Sequence, residues 1–216
     1  MKRYAIFDMD GLLVDSEHVF RVVFEEMAAE RGLTVDPRFF HDVCGTCGDY
    51  EMQIIHQYYP TLNPPVFWQE WHNRGMKRME TQVDLKPGVV ELLSYLQSQG
   101  VQIAVASSSG PEVIRHHLEV GGIREYFSHI VNGQQVEHCK PAPDIFLLAA
   151  RELGADPTEC YVFEDSRQGG WAGVKAGCTT VLVPDQVPPT PELEQAVAAV
   201  CPTLNHALEM IQEGKL

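Results

Sequence analysis

Two aspartates follow a short apolar segment near the beginning of the chain. The segment from Tyr4 to Phe7 reads YAIF, and Asp8 and Asp10 come directly after it, with Asp15 a little further on. Carboxylates this close together repel one another, so their crowding needs either full solvation in a turn or a cation beside them. The spacing therefore raises two possibilities, a solvated turn or a metal site that takes part in a reaction.

Polar residues also follow later apolar runs of the chain. Ser107–Ser109 follow VQIAVA (101–106), and Glu164 and Asp165 follow CYVF, while Lys140 stands just before a helical pattern that begins with prolines. If the apolar runs are parallel strands, their carboxyl ends meet at one edge of a sheet. The acids, hydroxyls and ammonium group are then expected to share one crevice.

Such a set of groups suits phosphoryl transfer. Carboxylate oxygens are the ligands that Mg²⁺ prefers, and the cation lets a phosphate dianion approach a carboxylate. One aspartate is then able to attack phosphorus, and the second to protonate the leaving alkoxide and later to activate water. Ser107 and neighbouring backbone N–H groups are expected to hold phosphate oxygens, with Lys140 neutralising another.

Each of these motifs also has an ordinary structural interpretation. Aspartate pairs form turns, serine runs form loops, an acidic pair before a helix caps it, and a lone lysine is a surface residue. These interpretations would have to hold independently at four element ends, each with the residue type that phosphate chemistry needs. We therefore favour the functional interpretation.

The elements that would position these residues alternate between strand and helix. From residue 85 onward, short β-rich runs alternate with helical patterns, which predicts a parallel sheet with helices on both faces. Residues 16–82 read as helices without a convincing strand, so they form an insertion above the sheet edge that binds ligands. The fold class predicted is α/β: a Rossmann-like core formed by residues 1–15 and 83–216, and an inserted α-helical cap formed by residues 16–82.

Composition limits the classes of partner. Of the 216 residues, 44% are hydrophobic, and the chain carries a formal net charge of −14. This negative charge argues against nucleic acid or an anionic membrane surface as a partner. The N-terminal apolar stretch is too short for a signal peptide, so a cytoplasmic location is expected, with reduced cysteines. Cys44 and Cys47 have the CxxC spacing, but without a second pair we expect ordinary cysteines. A small phosphorylated metabolite is the expected partner, and a monomer is the default state.

Four motifs in sequence order give a specific resemblance. DMDGLLVDS, VASSS, KPAPDIF and FEDSRQGGWAG resemble the four motifs of the haloacid dehalogenase superfamily. They are most similar to its β-phosphoglucomutase-like phosphatases, which carry a helical cap after the first motif. The resemblance spans nearly the whole chain and implies a Rossmann-like fold and Mg²⁺ as cofactor.

The resemblance also implies roles for particular residues. Asp8 would be the nucleophile, and Asp10 the general acid and base that also contacts Mg²⁺ through its backbone carbonyl. Ser107 and Ser108 would bind the phosphate, and Lys140 would hold the nucleophile and the phosphate together. The remaining metal ligands would be Asp165 and, directly or through water, Glu164. Asp15 would be non-catalytic and would lie at the hinge or the start of the cap.

The resemblance leaves several activities to compare. Dehalogenases of the superfamily lack the second aspartate, so Asp10 favours phosphoryl transfer. Phosphonoacetaldehyde hydrolases need a cap lysine, and nothing around Lys77 singles it out. β-Phosphoglucomutases place a histidine and an arginine where this chain has Phe20 and Gly48, so we favour a phosphatase over a mutase. A non-catalytic sugar-phosphate-binding protein is a further alternative, against which the complete acid set argues.

The cap is expected to select the substrate, but helical periodicity does not indicate which of its residues point inward. The candidate contributors are polar or aromatic and all lie between residues 16 and 82: His18, His41, His56, Trp68, Trp71, His72, Arg74 and Lys77.

Overall fold

The computed structural model describes residues 1–43, 46 and 48–216. Cys44 and Cys47 lie outside the described residues, so the expectation of ordinary cysteines there stays a prediction. Cys139, Cys160, Cys178 and Cys201 have free thiols.

Six parallel strands form one sheet in the order β3-β2-β1-β4-β5-β6. The first strand lies in the interior of the sheet, where Phe7 pairs in register with Val105 on one side and with Phe163 on the other. All four residues of this strand are buried, as expected of a parallel strand covered on both faces. The strands are β1 Tyr4–Phe7, β2 Gln102–Ser107, β3 His129–Asn132, β4 Cys160–Glu164, β5 Thr179–Leu182 and β6 Ala199–Val200.

Helices cover both faces of the sheet. Phe7 of β1 belongs to one hydrophobic cluster with Leu92 and Leu204, whereas Ile6 faces the opposite cluster with Phe146. The period of two along the strand thus sends alternate side chains into two separate halves of the core. The helices of this part are α5 Val89–Ser98, α6 Pro111–Val120, α7 Asp144–Glu152, α8 Arg167–Ala176, α9 Pro191–Ala196 and α10 Leu204–Gln212, with short 3₁₀ helices at Arg124–Tyr126, Gly133–Gln135 and Pro157–Glu159.

In the described part of the chain, four helices between β1 and α5 form a cap with its own hydrophobic core. Phe24 is fully buried there, and its ring lies 4.6 Å from that of Phe39 and 5.1 Å from that of Trp71, measured between centroids. The helices are α1 Ser16–Glu30, α2 Pro37–Val43, α3 Gly48–Tyr58 and α4 Pro64–Arg78. Because these aromatic side chains pack mainly on one another, the cap buries its apolar side chains within itself.

The two segments that join cap and core run side by side. Val14 forms an antiparallel bridge with Leu85, and the backbone N–H of Asp15 donates to the Asp84 carbonyl at 2.9 Å. The separate cluster of the cap and this paired connection support dividing the chain into residues 1–15 with 83–216, and 16–82, which we propose as its domains.

Two short elements were not expected from the sequence. The segment 184–192 is rich in proline and shows no helical pattern, yet Pro191 begins α9, and the Thr190 hydroxyl accepts from the Leu193 N–H to cap it. The strand β6 has only two residues, too few to show a period. The helix α8 is capped at both ends, since the Ser166 hydroxyl accepts from the Gly169 N–H and Gly177 is left-handed. Among the described residues, every helix is too short or too polar to traverse a bilayer.

Candidate active site

The carboxyl ends of β1 and β4 bring three acids and one lysine together. The Lys140 ammonium lies 2.5 Å from Asp8 Oδ1 and 2.6 Å from Glu164 Oε1. Asp8, Glu164 and Asp165 each offer a carboxylate oxygen, and these oxygens lie within 4.8 Å of one another. The convergence expected from the strand ends is therefore present in the fold.

Asp165 differs from the other two acids because its charge is not balanced locally. Its side chain is buried, and among the described residues it has no hydrogen bond or ion pair. A buried carboxylate without a partner is costly unless a cation neutralises it. The oxygen donors of Asp8, Glu164 and Asp165 match the ligand preference of Mg²⁺, so the site fits such an ion.

Gly11 leaves the space that Asp165 occupies. Its φ is +80°, and a Cβ atom built on it would lie 2.4 Å from Asp165 Oδ2. A side chain at this position would therefore meet both an unfavourable backbone conformation and a collision with the acid. This requirement explains the glycine after DMD in physical terms.

Burial and crowding shift the pKa values of the cluster. Burial raises the pKa of Asp8 to about 8, with Lys140 acting in the opposite direction and Glu164 and Asp10 adding to the rise. Burial, followed by repulsion from Glu164 and Asp8, also raises the pKa of Asp165 well above its usual value. Burial alone would lower the pKa of Lys140, but Asp8 and Glu164 hold it above its usual range. A divalent cation would relieve this repulsion.

Glu164 is held by the first turn of α8. Its Oε2 accepts from the Ser166 N–H at 2.9 Å and from the Ser166 hydroxyl at 3.0 Å. Gly169 faces the same carboxylate so closely that a Cβ atom there would lie 1.6 Å from Glu164 Oε1. The glycine in this first turn, unfavourable for helix propensity, is thus required by the acid beside it.

Asp10 is held by hydroxyl groups rather than by a cation. Ser16 donates to its Oδ1 at 3.1 Å, and Ser107 and Ser109 donate to its Oδ2 at 3.1 Å and 2.8 Å. The Ser107 hydroxyl also accepts from the Ser109 N–H at 3.0 Å. Ser107 is fully buried, whereas Ser108 and Ser109 line the adjoining cavity. The structure therefore brings Ser107 to the acid pair, while Ser108 faces the open space.

A cavity of about 470 Å³ extends from this cluster to the cap. We call the part formed by Asp8, Asp10, Lys140, Glu164 and Asp165 the reaction end. The part formed by Phe20, Glu51, Trp68 and His72 is the cap end, and Glu17 lies between the two ends, on the same side of Gly11 as Asp165. Arg21, Phe40, Trp71, Met76, Val113 and His117 are among the remaining lining residues.

Only some of the cap residues considered from the sequence face this cavity. Trp68, Trp71 and His72 line it. Arg74 and Lys77 instead line a groove on the outside of α4, and His41 lines a smaller cleft next to Asp165. His18 and His56 belong to neither the cavity nor these two surfaces. Periodicity could not separate these groups because it does not give the rotation of each helix over the core.

Sequence reasoning missed several residues of the site. Ser16 and Ser109 bind Asp10, although the first ends the motif DMDGLLVDS and the second belongs to the serine run. Glu17 and Glu51 reach the cavity from the first turns of α1 and α3. His117 lines the cavity from α6, fully buried. Glu51 and His117 gave no sequence signal, because neither belongs to a motif that follows a predicted strand.

Asp15 lies outside the reaction end, at the connection between core and cap. Its carboxylate accepts from the Lys86 ammonium at 3.2 Å, and Lys86 also pairs with Asp185 at 2.7 Å. This position agrees with the expectation of a hinge residue.

Comparisons with known proteins give a consistent assignment. The model of the haloacid dehalogenase-like hydrolase family matches residues 5–183. The protein YhcW of Bacillus subtilis (strain 168), which is named as a phosphatase, is 34% identical over 218 residues, covering 100% of this chain and 95% of its own length. Fructose-1-phosphate phosphatase YqaB of Escherichia coli (strain K12) is 33% identical over 186 residues, covering 84% of this chain and 97% of its own. The crystal structure of β-phosphoglucomutase from Clostridium difficile superimposes with a TM-score of 0.80 at 24% identity, covering 100% of this chain and 97% of that one, which shows the shared fold.

Proposed function

The chain belongs to the haloacid dehalogenase-like hydrolases, and on this premise we propose that it is a Mg²⁺-dependent phosphatase. Its substrate is a small phosphomonoester, a sugar or polyol phosphate, and the reaction passes through an aspartyl-phosphate on Asp8. Relatives named as phosphatases, one of them acting on fructose 1-phosphate, support the substrate class.

The observation that carries this proposal is the unpartnered, buried Asp165 beside Asp8 and Glu164. A purely structural cluster would balance its charges internally, as Lys140 does for Asp8 and Glu164. The excess negative charge instead suits a divalent cation and, with it, an anionic substrate.

In the first half of the reaction, Asp8 is the nucleophile. A carboxylate oxygen of Asp8 forms a bond to phosphorus while the ester P–O bond breaks and its electron pair goes to the leaving oxygen. Asp10, in its protonated form, gives its proton to this alkoxide. Lys140 keeps the Asp8 carboxylate oriented and offsets negative charge on the phosphoryl group.

In the second half, Asp10 acts as a base. It takes a proton from a water molecule whose oxygen attacks phosphorus, and the P–O bond to Asp8 breaks, returning the Asp8 carboxylate and releasing inorganic phosphate. Ser16, Ser107 and Ser109 orient Asp10 through their hydroxyl groups. Ser107 and Ser108, with neighbouring backbone N–H groups, are the proposed phosphate ligands, and binding by Ser107 requires its hydroxyl to turn from Asp10.

Mg²⁺ would be held by Asp8, Asp165 and the Asp10 carbonyl, with Glu164 as a direct or water-mediated ligand. When bound, the ion neutralises the carboxylates and the phosphate oxygens that face them. Glu164 has a second task, because both of its oxygens already bind Lys140 and Ser166.

The runner-up function is a phosphosugar mutase, which shares the acid pair Asp8 and Asp10. A mutase must grip a second phosphate, and the positions at which it would place a histidine and an arginine are Phe20 and Gly48, both lining the cavity. Neither residue offers a cation, so the phosphatase is favoured. Product analysis separates the two, because a mutase interconverts sugar phosphates whereas a phosphatase releases inorganic phosphate.

A screen of phosphorylated metabolites, scored by phosphate release with and without Mg²⁺, tests the proposal. We expect turnover that a chelator abolishes and that excess Mg²⁺ restores, in the screen and with p-nitrophenyl phosphate. Activity that persists in excess chelator would remove the metal from the mechanism. Binding of sugar phosphates without any release of phosphate would favour the non-catalytic alternative.

A further inference from the structure

Two further carboxylates line the cavity, Glu51 at the cap end and Glu17 between the cap end and the reaction end. Glu17 and Glu51 line the cavity, yet neither forms an ion pair with any residue in the described part of the chain. Surface glutamates of the same cap behave differently, since Glu30 and Glu70 both pair with Arg74. Acids that face a cavity without a paired cation indicate an interaction with a ligand: they either accept a hydrogen bond from it or repel it.

These two carboxylates lie close enough to influence each other. Burial raises the pKa of Glu51 to about 7, against the effect of the nearby Trp68 N–H. Burial also raises the pKa of Glu17 to about 7, and Asp10, Asp185 and Glu51 add to this rise. A further anion brought into this space would meet the same repulsion.

Few cations are available to offset the negative charge of these carboxylates. Among the described residues that line the cavity, only Lys140 and Arg21 carry a fixed positive charge. Lys140 is bound to Asp8 and Glu164. Arg21 pairs with Glu25 at 3.2 Å and donates to Gln186 at 3.4 Å. Burial lowers the pKa of His72, which favours the neutral form of its ring.

The same region offers unsatisfied neutral donors and acceptors. Trp68 Nε1 and both ring nitrogens of His117 are buried and have no hydrogen-bond partner among the described residues. The Trp68 and His72 rings stack with centroids 3.8 Å apart, giving a flat apolar wall. A hydroxyl group both donates and accepts, so a carbon chain or ring with several hydroxyls matches this mixture of groups.

We propose that the cap end binds an uncharged, polyhydroxylated leaving group and rejects substrates with a second anionic group, with Glu51 as the residue that discriminates. This inference rests on the proposed phosphatase function and narrows its substrate class. Glu51 acts by accepting a hydroxyl hydrogen from the neutral substrate and by repelling a carboxylate or phosphate at the same place.

The test uses two substrates that differ at one carbon. Sorbitol 6-phosphate carries a terminal CH₂OH where 6-phosphogluconate carries a carboxylate. Phosphate release gives kcat/KM for each compound, and the ratio of the two values is the preference of the enzyme. The inhibition constants of the two compounds against p-nitrophenyl phosphate hydrolysis give a second ratio, which does not require turnover of either compound. The ratios are measured for the parent, Glu51→Gln, Glu51→Lys and the control Asp49→Asn, which removes a charge from an exposed position in the same helix, away from the cavity lining.

At about pH 8, above the pKa of Glu51, we expect the parent to prefer the neutral compound by at least about tenfold, because like charges brought together are strongly disfavoured. Glu51→Gln should lose most of this preference, Glu51→Lys should reverse it, and Asp49→Asn should keep it.

Two results would overturn the inference and leave the phosphatase intact. One is a parent that hydrolyses p-nitrophenyl phosphate yet treats the two compounds alike. The other is that the Glu51→Gln and Glu51→Lys variants, shown by thermal melting to be folded, keep the parent's preference between the two compounds. Failure to hydrolyse p-nitrophenyl phosphate and every phosphate in the screen would instead overturn the proposed function, and with it this inference.

Discussion

The two ends of the cavity differ in how their polar groups are satisfied. At the reaction end, Lys140 binds Asp8 and Glu164, and three serine hydroxyls bind Asp10. At the cap end, Glu51 and Trp68 Nε1 have no such partners within the described chain. The reaction end is organised by the protein itself, whereas the cap end leaves its polar groups for another molecule.

This difference suggests a division of tasks between core and cap. The core groups sit at the ends of strands that are buried on both faces, so their positions are fixed by the sheet. The cap end is built from helices that meet the core through two paired segments. Changes at the reaction end should therefore affect the chemical step, and changes at the cap end the choice of substrate.

The largest effect is expected from replacing the nucleophile. Asp8→Asn should lower turnover of every substrate by at least about a thousandfold, because the amide cannot attack phosphorus. Asp15→Asn is the matched control from the same motif. Its carboxylate only accepts from Lys86, which keeps Asp185 as a partner, so most activity should remain. Phosphate release by purified Asp8→Asn close to the parental rate would contradict the role assigned to Asp8.

A smaller effect is expected from adding one methyl group behind Glu164. In Gly169→Ala the new Cβ would lie 1.6 Å from Glu164 Oε1, so the carboxylate must move. We expect Mg²⁺ affinity, measured by titrating activity, to fall about 10- to 100-fold, as is usual when a supporting residue of a metal site is disturbed. Gly170→Ala is the control, because its Cβ meets only the ends of Leu182 and Leu193, at 3.1 Å and beyond. Equal Mg²⁺ affinity in the two variants would show that Glu164 does not support the metal site.

The smallest effect is a pH dependence of metal binding. In the metal-free protein, burial raises the pKa of Asp8 from 3.8 to about 8, so the folded state binds this proton more tightly than the unfolded state does. This contribution to stability is present at low pH and is lost as the pH rises towards 8. Since Mg²⁺ needs the deprotonated carboxylate, its stabilising effect should grow over the same interval. The increase in melting temperature that Mg²⁺ causes should be larger at about pH 8.5 than at about pH 6.

In Asp8→Asn this pH dependence should shrink to the part that comes from Asp165, whose pKa is also raised. A shift in melting temperature that is the same at both pH values in the parent would mean that protons do not compete with the metal at this site.

The reaction end could be predicted from the sequence because it depends on topology alone. Any parallel sheet built from YAIF, VQIAVA and CYVF brings the residues after these strands to one edge, whatever the details of packing. The roles of Ser109 and Gly169 depend on side-chain directions in a loop and in the first turn of a helix, and a pattern of residue types does not contain these directions. The cap end was harder still, because whether Glu51 or His56 faces the cavity depends on how α3 is rotated over the core. The strand β6 and the helix α9 escaped prediction because both are too short for periodicity to be read.

The most direct test of the central claim is to trap the phosphorylated enzyme. The Asp10→Asn variant lacks the acid and base, but the leaving group of p-nitrophenyl phosphate needs no proton, so the first step should still proceed while the second is slowed. With Mg²⁺ we expect a burst of p-nitrophenolate of up to one equivalent per enzyme, and acid quenching followed by mass spectrometry should find one phosphoryl group on Asp8. A phosphoryl group on another residue, or steady turnover with neither burst nor label in the variant, would contradict Asp8 as the nucleophile and Asp10 as its partner.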